Sequence, residues 1–212
     1  MGSGQGIGDN RQVKTKTLTV AVTGASGSIY AVEMLRMLAA DERVAHVDLV
    51  VSESALRVLA EEMGISGRTQ VVEKMIGAAC DTIQVHGHND IGANIASGSY
   101  PSDAMIVLPC SMGTLAGISA GLAANLIQRA ADVALKEARP LILCVRETPF
   151  NRIHLRNMTV AAEAGATIFP AIPTLYNHPD STTEMARSFV HRVLAFVGLP
   201  QAGAYQWGVG ER

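Results

Sequence analysis

Apolar residues recur along this chain in two rhythms. Short, largely apolar runs at 18–22, 47–51, 104–108 and 141–145 have the length and β-branched content of strands. Between them, Ile29, Val32, Leu35 and Leu38, widened by Met34 and Met37, repeat at helical spacing, as do Leu126, Ile127, Ala130, Val133, Ala134 and Leu135. Apolar strands that alternate with amphipathic helices are the pattern of a parallel sheet buried on both faces. The chain therefore predicts one α/β domain over residues 17–200, flavodoxin-like or Rossmann-like, with a central parallel sheet and helices on both faces. Further helices are predicted at 54–62 (capped by Ser52 or Ser54, stopped by Gly64), 71–79, 125–138, 151–164 (Gly165 as its C′ residue) and 181–197. The last opens with a capping box, Ser181-Thr182-Thr183-Glu184. Weaker strands are predicted at 83–85 and at 166–172, the second interrupted by Pro170. Pro109 should end the strand at 104–108, and Gly113, Gly117 and Gly121 should leave the following segment loose. Residues 1–16, glycine-rich and polar, read as an extension without regular structure, and 201–212 as a tail serving an oligomer contact or a site.

Composition narrows the function classes. With 48% hydrophobic residues but only 4% aromatics, the core must be aliphatic and alanine-rich. A net charge of -2 gives no global electrostatic case for nucleic acid. No run is long enough to span a membrane, and the amino-terminal stretch has no apolar core of a signal peptide. Cys80, Cys110 and Cys144 lack metal-ligand spacing and read as reduced thiols of a cytoplasmic protein. His86 and His88 share a strand face but have no cysteine or carboxylate cluster beside them, so no metal site is expected.

In open α/β sheets, ligands bind beyond the carboxyl ends of the strands. The first such end carries Thr23-Gly24-Ala25-Ser26-Gly27-Ser28, either an ordinary tight turn or a phosphate cradle at a helix N-terminus. Its glycines do not match GxGxxG, and the second strand ends in Ser52-Glu53-Ser54 rather than in a lone carboxylate for a ribose. That lowers NAD and raises a mononucleotide such as FMN. Ser111, Thr114, Arg146 and Glu147 also fall at strand ends. Ala96-Ser97-Gly98-Ser99 is a plain connection or a loop small enough to lie over a flat ligand. Arg129 and Lys136, seven apart, share one side of a helix, with Asp132 and Glu137 placed to neutralise them. Glu61 and Glu62 read by themselves as a solvated pair at a helix end. Trp207, the only tryptophan, suits an anchor on a neighbouring subunit or over a site.

Several of these segments together resemble the flavin prenyltransferases of the UbiX type, related to the cysteine-decarboxylase flavoproteins: Thr23-Gly-Ala-Ser-Gly, Ala96-Ser-Gly-Ser, Leu108-Pro-Cys-Ser-Met-Gly-Thr, Asn125-Leu-Ile-Gln-Arg-Ala-Ala-Asp-Val-Ala-Leu-Lys-Glu, Arg139-Pro-Leu, Arg146-Glu-Thr-Pro and Tyr176. The resemblance spans roughly residues 17–210. It implies that Gly24, Ala25, Ser26 and Ser52 hold the phosphate and ribityl end of FMN, and that Ser111, Met112, Gly113, Thr114 and Arg146 line the rest of the flavin. It implies that Arg129, Lys136, Arg146, Tyr176 and Arg192 surround the phosphate of dimethylallyl monophosphate, with Ser97, Gly98 and Trp207 at the substrate. Glu62 and Glu147 are the implied acid/base carboxylates, with Lys136 beside them in the catalytic set and no metal. It further implies a homododecamer with sites shared between subunits, and prenylated FMN passed to a UbiD-type decarboxylase. Two other readings stay open at this point. An FMN-dependent decarboxylase would need a histidine base, for which His154 and His178 are the nearest candidates, and Gly113 stands where that branch has asparagine. A non-catalytic FMN carrier would leave Arg129, Lys136, Tyr176 and Arg192 without a task.

Overall fold

The computed structural model describes residues 15–205. Six strands form one parallel sheet: β1 (Lys16–Val22), β2 (Val44–Val51), β3 (Ile83–His86), β4 (Ala104–Cys110), β5 (Leu141–Val145) and β6 (Thr167–Ile168). Their order across the sheet is β3-β2-β1-β4-β5-β6, the doubly wound arrangement whose direction of winding reverses between β1 and β4. Among the described residues seven α-helices cover it: α1 (Ser28–Ala40), α2 (Glu53–Met63), α3 (Val71–Ile76), α4 (Met112–Ser119), α5 (Leu126–Lys136), α6 (Arg152–Glu163) and α7 (Thr182–Phe196).

Strand alternation separates two cores. Leu18, Val20, Val47, Leu49, Ile106 and Ile142 face α1, α2, α3 and α7, whereas Ala21, Val50, Met105, Val107, Leu141 and Leu143 face α4, α5 and α6. The predicted α/β layering is what forms. Helix ends follow their side chains: Ser52 accepts from Ala55 N at 3.1 Å, Asn125 from Gln128 N at 3.0 Å and Ser181 from Glu184 N at 3.1 Å. Gly64 ends α2 in the left-handed region at φ 68°, where other residues pay a steric cost.

Five local expectations differ from the structure, the first being that the helix expected over 71–79 ends at Ile76, where Gly77 turns left-handed at φ 83°. β4 does not stop at Pro109 but runs to Cys110, with a register irregularity against β5 between Val107 and Cys110 that accommodates a residue lacking an N–H. The glycine-spaced segment is loose only at its end: Met112–Ser119 forms α4, with Gly121 in a left-handed turn beyond it, and α5 lies so close to Gly117 that a Cβ there would lie 2.8 Å from Gln128 Cδ. The strand expected over 166–172 is reduced to Thr167–Ile168, although Phe169 and Ala171 still donate to Leu143 O and Val145 O. Glu184 reaches Asp180 N rather than the N-cap amide, and the reciprocal box occurs on α6, between Asn151 and His154.

Candidate functional site

The carboxyl ends of β1 and β4 are tied together at the point where the sheet winding reverses. Thr23 Oγ1 donates to Pro109 O at 2.8 Å and accepts from Ser111 N at 2.8 Å. Ser111 caps α4, and its Oγ lies 3.1 Å from Thr114 Oγ1. A Cβ on Gly113 would meet nothing within 4 Å, so α4 faces open space at that residue, while Met112 and Leu115 beside it are buried. On the β2 side, Ser52 Oγ lies 3.1 Å from Ser54 Oγ. Gly24 packs against that serine pair: a Cβ there would stand 2.5 Å from Ser54 Cβ. Arg146, at the end of β5, donates its main-chain N–H to Cys110 O at 3.1 Å, which brings it beside the same edge. Small residues and hydroxyls thus gather at three adjacent strand ends, those of β2, β1 and β4.

Glu62 is not a solvated partner of Glu61, which pairs instead with Arg57 at 3.1 Å. The Glu62 carboxylate reaches from the end of α2 to the start of α1, accepting from Gly27 N at 3.1 Å and from Ser28 N at 2.8 Å. Partial burial pushes its pKa up, but hydrogen bonds from Ser26, Ser28 and Gly27 outweigh that and hold it below the usual glutamate range. Glu62 is therefore ionised at neutral pH, with its charge at the positive end of α1. Tyr30, one turn on, belongs to the same neighbourhood: burial raises its hydroxyl pKa and the positive Arg146 opposes the rise. Neither Tyr30 nor Thr23 stood out as a site residue in the sequence; Thr23 was legible only as the first residue of the turn.

The remaining candidate residues lie elsewhere. On α5, Arg129 donates to Asp132 at 2.7 Å and to Ala96 O at 3.0 Å, and Lys136 pairs with Glu137, the neutralisation expected from spacing. Gly98 abuts that pair so closely that a Cβ would overlap both Lys136 Nζ and Glu137 Oε1. Lys136 ends α5, whence the chain returns to the start of β5, so its ammonium lies toward the amino ends of the strands. Seven residues of helix separate it from Arg129, about 10 Å along the axis. Tyr176 and Arg192 meet in a third place, a cavity of about 540 Å³ between α7 and residues 200–205. Thr174, Ser188, His191 and Tyr205 also line it, and among the described residues no carboxylate does. Burial, helped by the charge of Arg187, holds His191 below the ordinary histidine pKa. Glu147 is exposed and accepts from the N–H of Thr148 at 2.9 Å. Trp207 lies outside the described residues. His154 is committed to the α6 cap, accepting at Nδ1 from Asn151 N at 3.4 Å.

Comparison with known proteins agrees with this geometry. The Flavoprotein family model matches residues 8–197. The flavin prenyltransferase UbiX of Pseudomonas aeruginosa is 42% identical over 90% of this chain and 93% of its own length. The crystal structure of AnUbiX in complex with FMN and dimethylallyl pyrophosphate superposes with a TM-score of 0.84 at 38% identity, covering 93% of this chain and all of that one. A dodecameric FMN-dependent UbiX-like decarboxylase from Escherichia coli O157:H7 superposes at 0.81 and 40% identity, over 90% of this chain and 98% of its own. Matched by the Flavoprotein family model over residues 8–197 and about 40% identical to curated flavin prenyltransferases across nearly its whole length, the chain belongs to the UbiX family of flavin prenyltransferases.

Proposed function

We propose that this chain joins the dimethylallyl group of dimethylallyl monophosphate to reduced FMN, at N5 and C6, and releases phosphate. The observation that carries the donor half of this reading is the Tyr176–Arg192 cavity, lined by hydroxyls and a guanidinium with no carboxylate among its described residues. A phosphate monoester leaves only when its charge is neutralised, and arginine forks with hydroxyl donors do that without a metal. The flavin is assigned to the switch-point cradle, with Gly24, Ala25, Ser26 and Ser52 at its phosphate and ribityl end and Ser111, Met112, Gly113, Thr114 and Arg146 along the ring. Because Glu62 already occupies the first amides of α1, the flavin phosphate falls to the Ser52 side of that cradle. Glu62, ionised there, and Glu147 serve as proton acceptors and donors, with Glu147 or the departing phosphate taking the proton that ring closure at C6 expels.

The site is assigned to several copies of the chain. Arg129 and Lys136 ride on α5, packed on one face of the sheet, while Arg192 rides on α7, packed on the other. One copy cannot wrap a single phosphate with both pairs, so neighbouring copies bring them together with Ser97, Gly98 and Trp207, in a homododecamer. The product, prenylated FMN, is a cofactor for a separate decarboxylase of the UbiD type, and the cytoplasm is where we place both proteins. Decarboxylation by this chain itself is disfavoured: His154 is spent on a helix cap, His178 lies with Pro179, Asp180 and Ser181 ahead of α7, away from the residues after β1 and β4, and the curated relatives are flavin prenyltransferases.

The test is anaerobic: purified protein, reduced FMN and dimethylallyl monophosphate, followed by mass spectrometry of the extracted flavin. A flavin heavier by one five-carbon unit, with phosphate released, supports the reading, and Arg192→Ala should then lose most of the turnover. Unmodified flavin that stays bound to the protein refutes it in favour of a carrier.

A further inference from the structure

Asp48 stands where a central strand would ordinarily carry valine or isoleucine. It lies in the middle of β2, 1% exposed, on the face that packs toward α5. Its Oδ1 is 2.7 Å from His86 Nε2 and 3.3 Å from His46 Nε2, and its Oδ2 accepts from the Tyr100 hydroxyl at 2.9 Å. A buried carboxylate with such partners is seldom more stabilising than apolar residues of the same volume, so its presence points to a geometric task. Burial first, then the bond to Asp48 and its charge, push the Tyr100 pKa up to about 12, which keeps the hydroxyl a donor.

Tyr100 closes the small-residue segment 96–100. Arg139 donates to Tyr100 O at 2.8 Å and to Gly98 O at 2.6 Å, and Arg129 donates to Ala96 O at 3.0 Å. Gly98, in turn, abuts Lys136 and Glu137. The segment is thus drawn toward the cations on and just after α5, and the Tyr100 side chain holds it to the sheet. The neighbouring Ser102 Oγ, 3.1 Å from Thr19 Oγ1, is a second tie just beyond the segment. Loss of the first would therefore shift the segment rather than release it.

We infer that Asp48, acting through Tyr100, is a positioning residue of the donor site: it sets segment 96–100 and, through Gly98, the place of the Lys136 ammonium. His86 and His46 hold Asp48 in orientation. The inference rests on the proposed role of Lys136, Ser97 and Gly98 in binding the donor.

Tyr100→Phe keeps the ring and removes only the hydroxyl. We expect its KM for dimethylallyl monophosphate to rise about tenfold, the scale of one charge-assisted hydrogen bond lost between a displaced Lys136 ammonium and the donor phosphate. Its kcat at saturating donor should stay within about twofold, and its FMN affinity should not change. Amide hydrogen exchange should quicken at 97–100 and nowhere else. His86→Gln, which still offers Asp48 an N–H donor, should keep a near-native KM, whereas His86→Leu should raise it. An unchanged KM in Tyr100→Phe overturns the inference. So does a fall in kcat and melting temperature with KM intact, the mark of a merely structural tie. A wild-type protein that makes no prenylated flavin overturns the proposed function, and this inference with it; a wild type that does, beside a variant with native KM, overturns this inference alone.

Discussion

Replacing Glu62 by glutamine tests how the start of α1 is held. The carboxylate accepts at 2.8 Å from Ser28 N and shares Gly27 N between its two oxygens at 3.1 Å. Glutamine keeps the length and one acceptor oxygen but removes the charge and turns an NH2 group toward N–H donors. A carboxylate at a helix N-terminus contributes about 0.3–1 kcal/mol. Hydrogen bonds to an ionised group reach about 1.5–3 kcal/mol when dry. Glu62 is exposed, and solvent screening brings the expected loss to the order of 1 kcal/mol. The pKa of Glu62 is lower in the folded chain than in the unfolded one, so its contribution is present above the ordinary glutamate value. It is lost as pH falls through the depressed folded value. Urea unfolding of wild type and Glu62→Gln at equal protein concentration should therefore show a gap of about 1 kcal/mol at pH 7 that closes below about pH 4. A gap that is absent at pH 7, or one that persists unchanged at pH 3, would refute this account of the α1 terminus. In the anaerobic assay, loss of a positioned proton acceptor should lower kcat by about 10²-fold or more.

Other outcomes follow from the packing. Gly24→Ala would drive a methyl group to 2.5 Å from Ser54 Cβ; we expect about 1–3 kcal/mol of destabilisation and weaker flavin binding, read by denaturation and by flavin fluorescence titration. Gly98→Ala meets mainly the ends of flexible side chains, so its melting temperature should stay near wild type while the displaced Lys136 raises the donor KM severalfold. Burial pushes the Cys110 thiol up to about 12 and Cys144 well above its ordinary value, so brief alkylation of the native protein at pH 8 should label Cys80 alone, by peptide mass mapping. Asp41 is held well below the usual carboxylate range, chiefly by the Arg43 guanidinium, and accepts from Gln201 at 3.0 Å. Asp41→Ala should therefore speed hydrogen exchange in residues 199–205 and weaken donor binding at the adjoining cavity.

Much of this protein was legible without coordinates because its signals are local. Continuous apolar runs specify strands buried on both faces, Ser52, Asn125 and Ser181 announce helix starts, and small residues after β1 and β4 mark the ligand edge by the geometry of parallel sheets. The motif set around Thr23, Ser111, Asn125 and Arg146 pointed to the family that the comparisons then showed. What the sequence could not decide depends on contacts between residues far apart. Gly113 and Gly117 look like helix breakers until α5 is seen lying against Gly117. Glu62 looks solvated until α2 and α1 are placed side by side, 34 residues apart in the chain at their hydrogen bond. Asp48 passes unnoticed within the run 47–51 until Tyr100, 52 residues on, is found at its carboxylate. The separation of Arg129 and Lys136 from Arg192 onto opposite faces of the sheet is likewise a fact of topology. Strand and helix periodicity fix which residues point inward locally, but which face a helix covers is settled only when the crossovers wind the sheet.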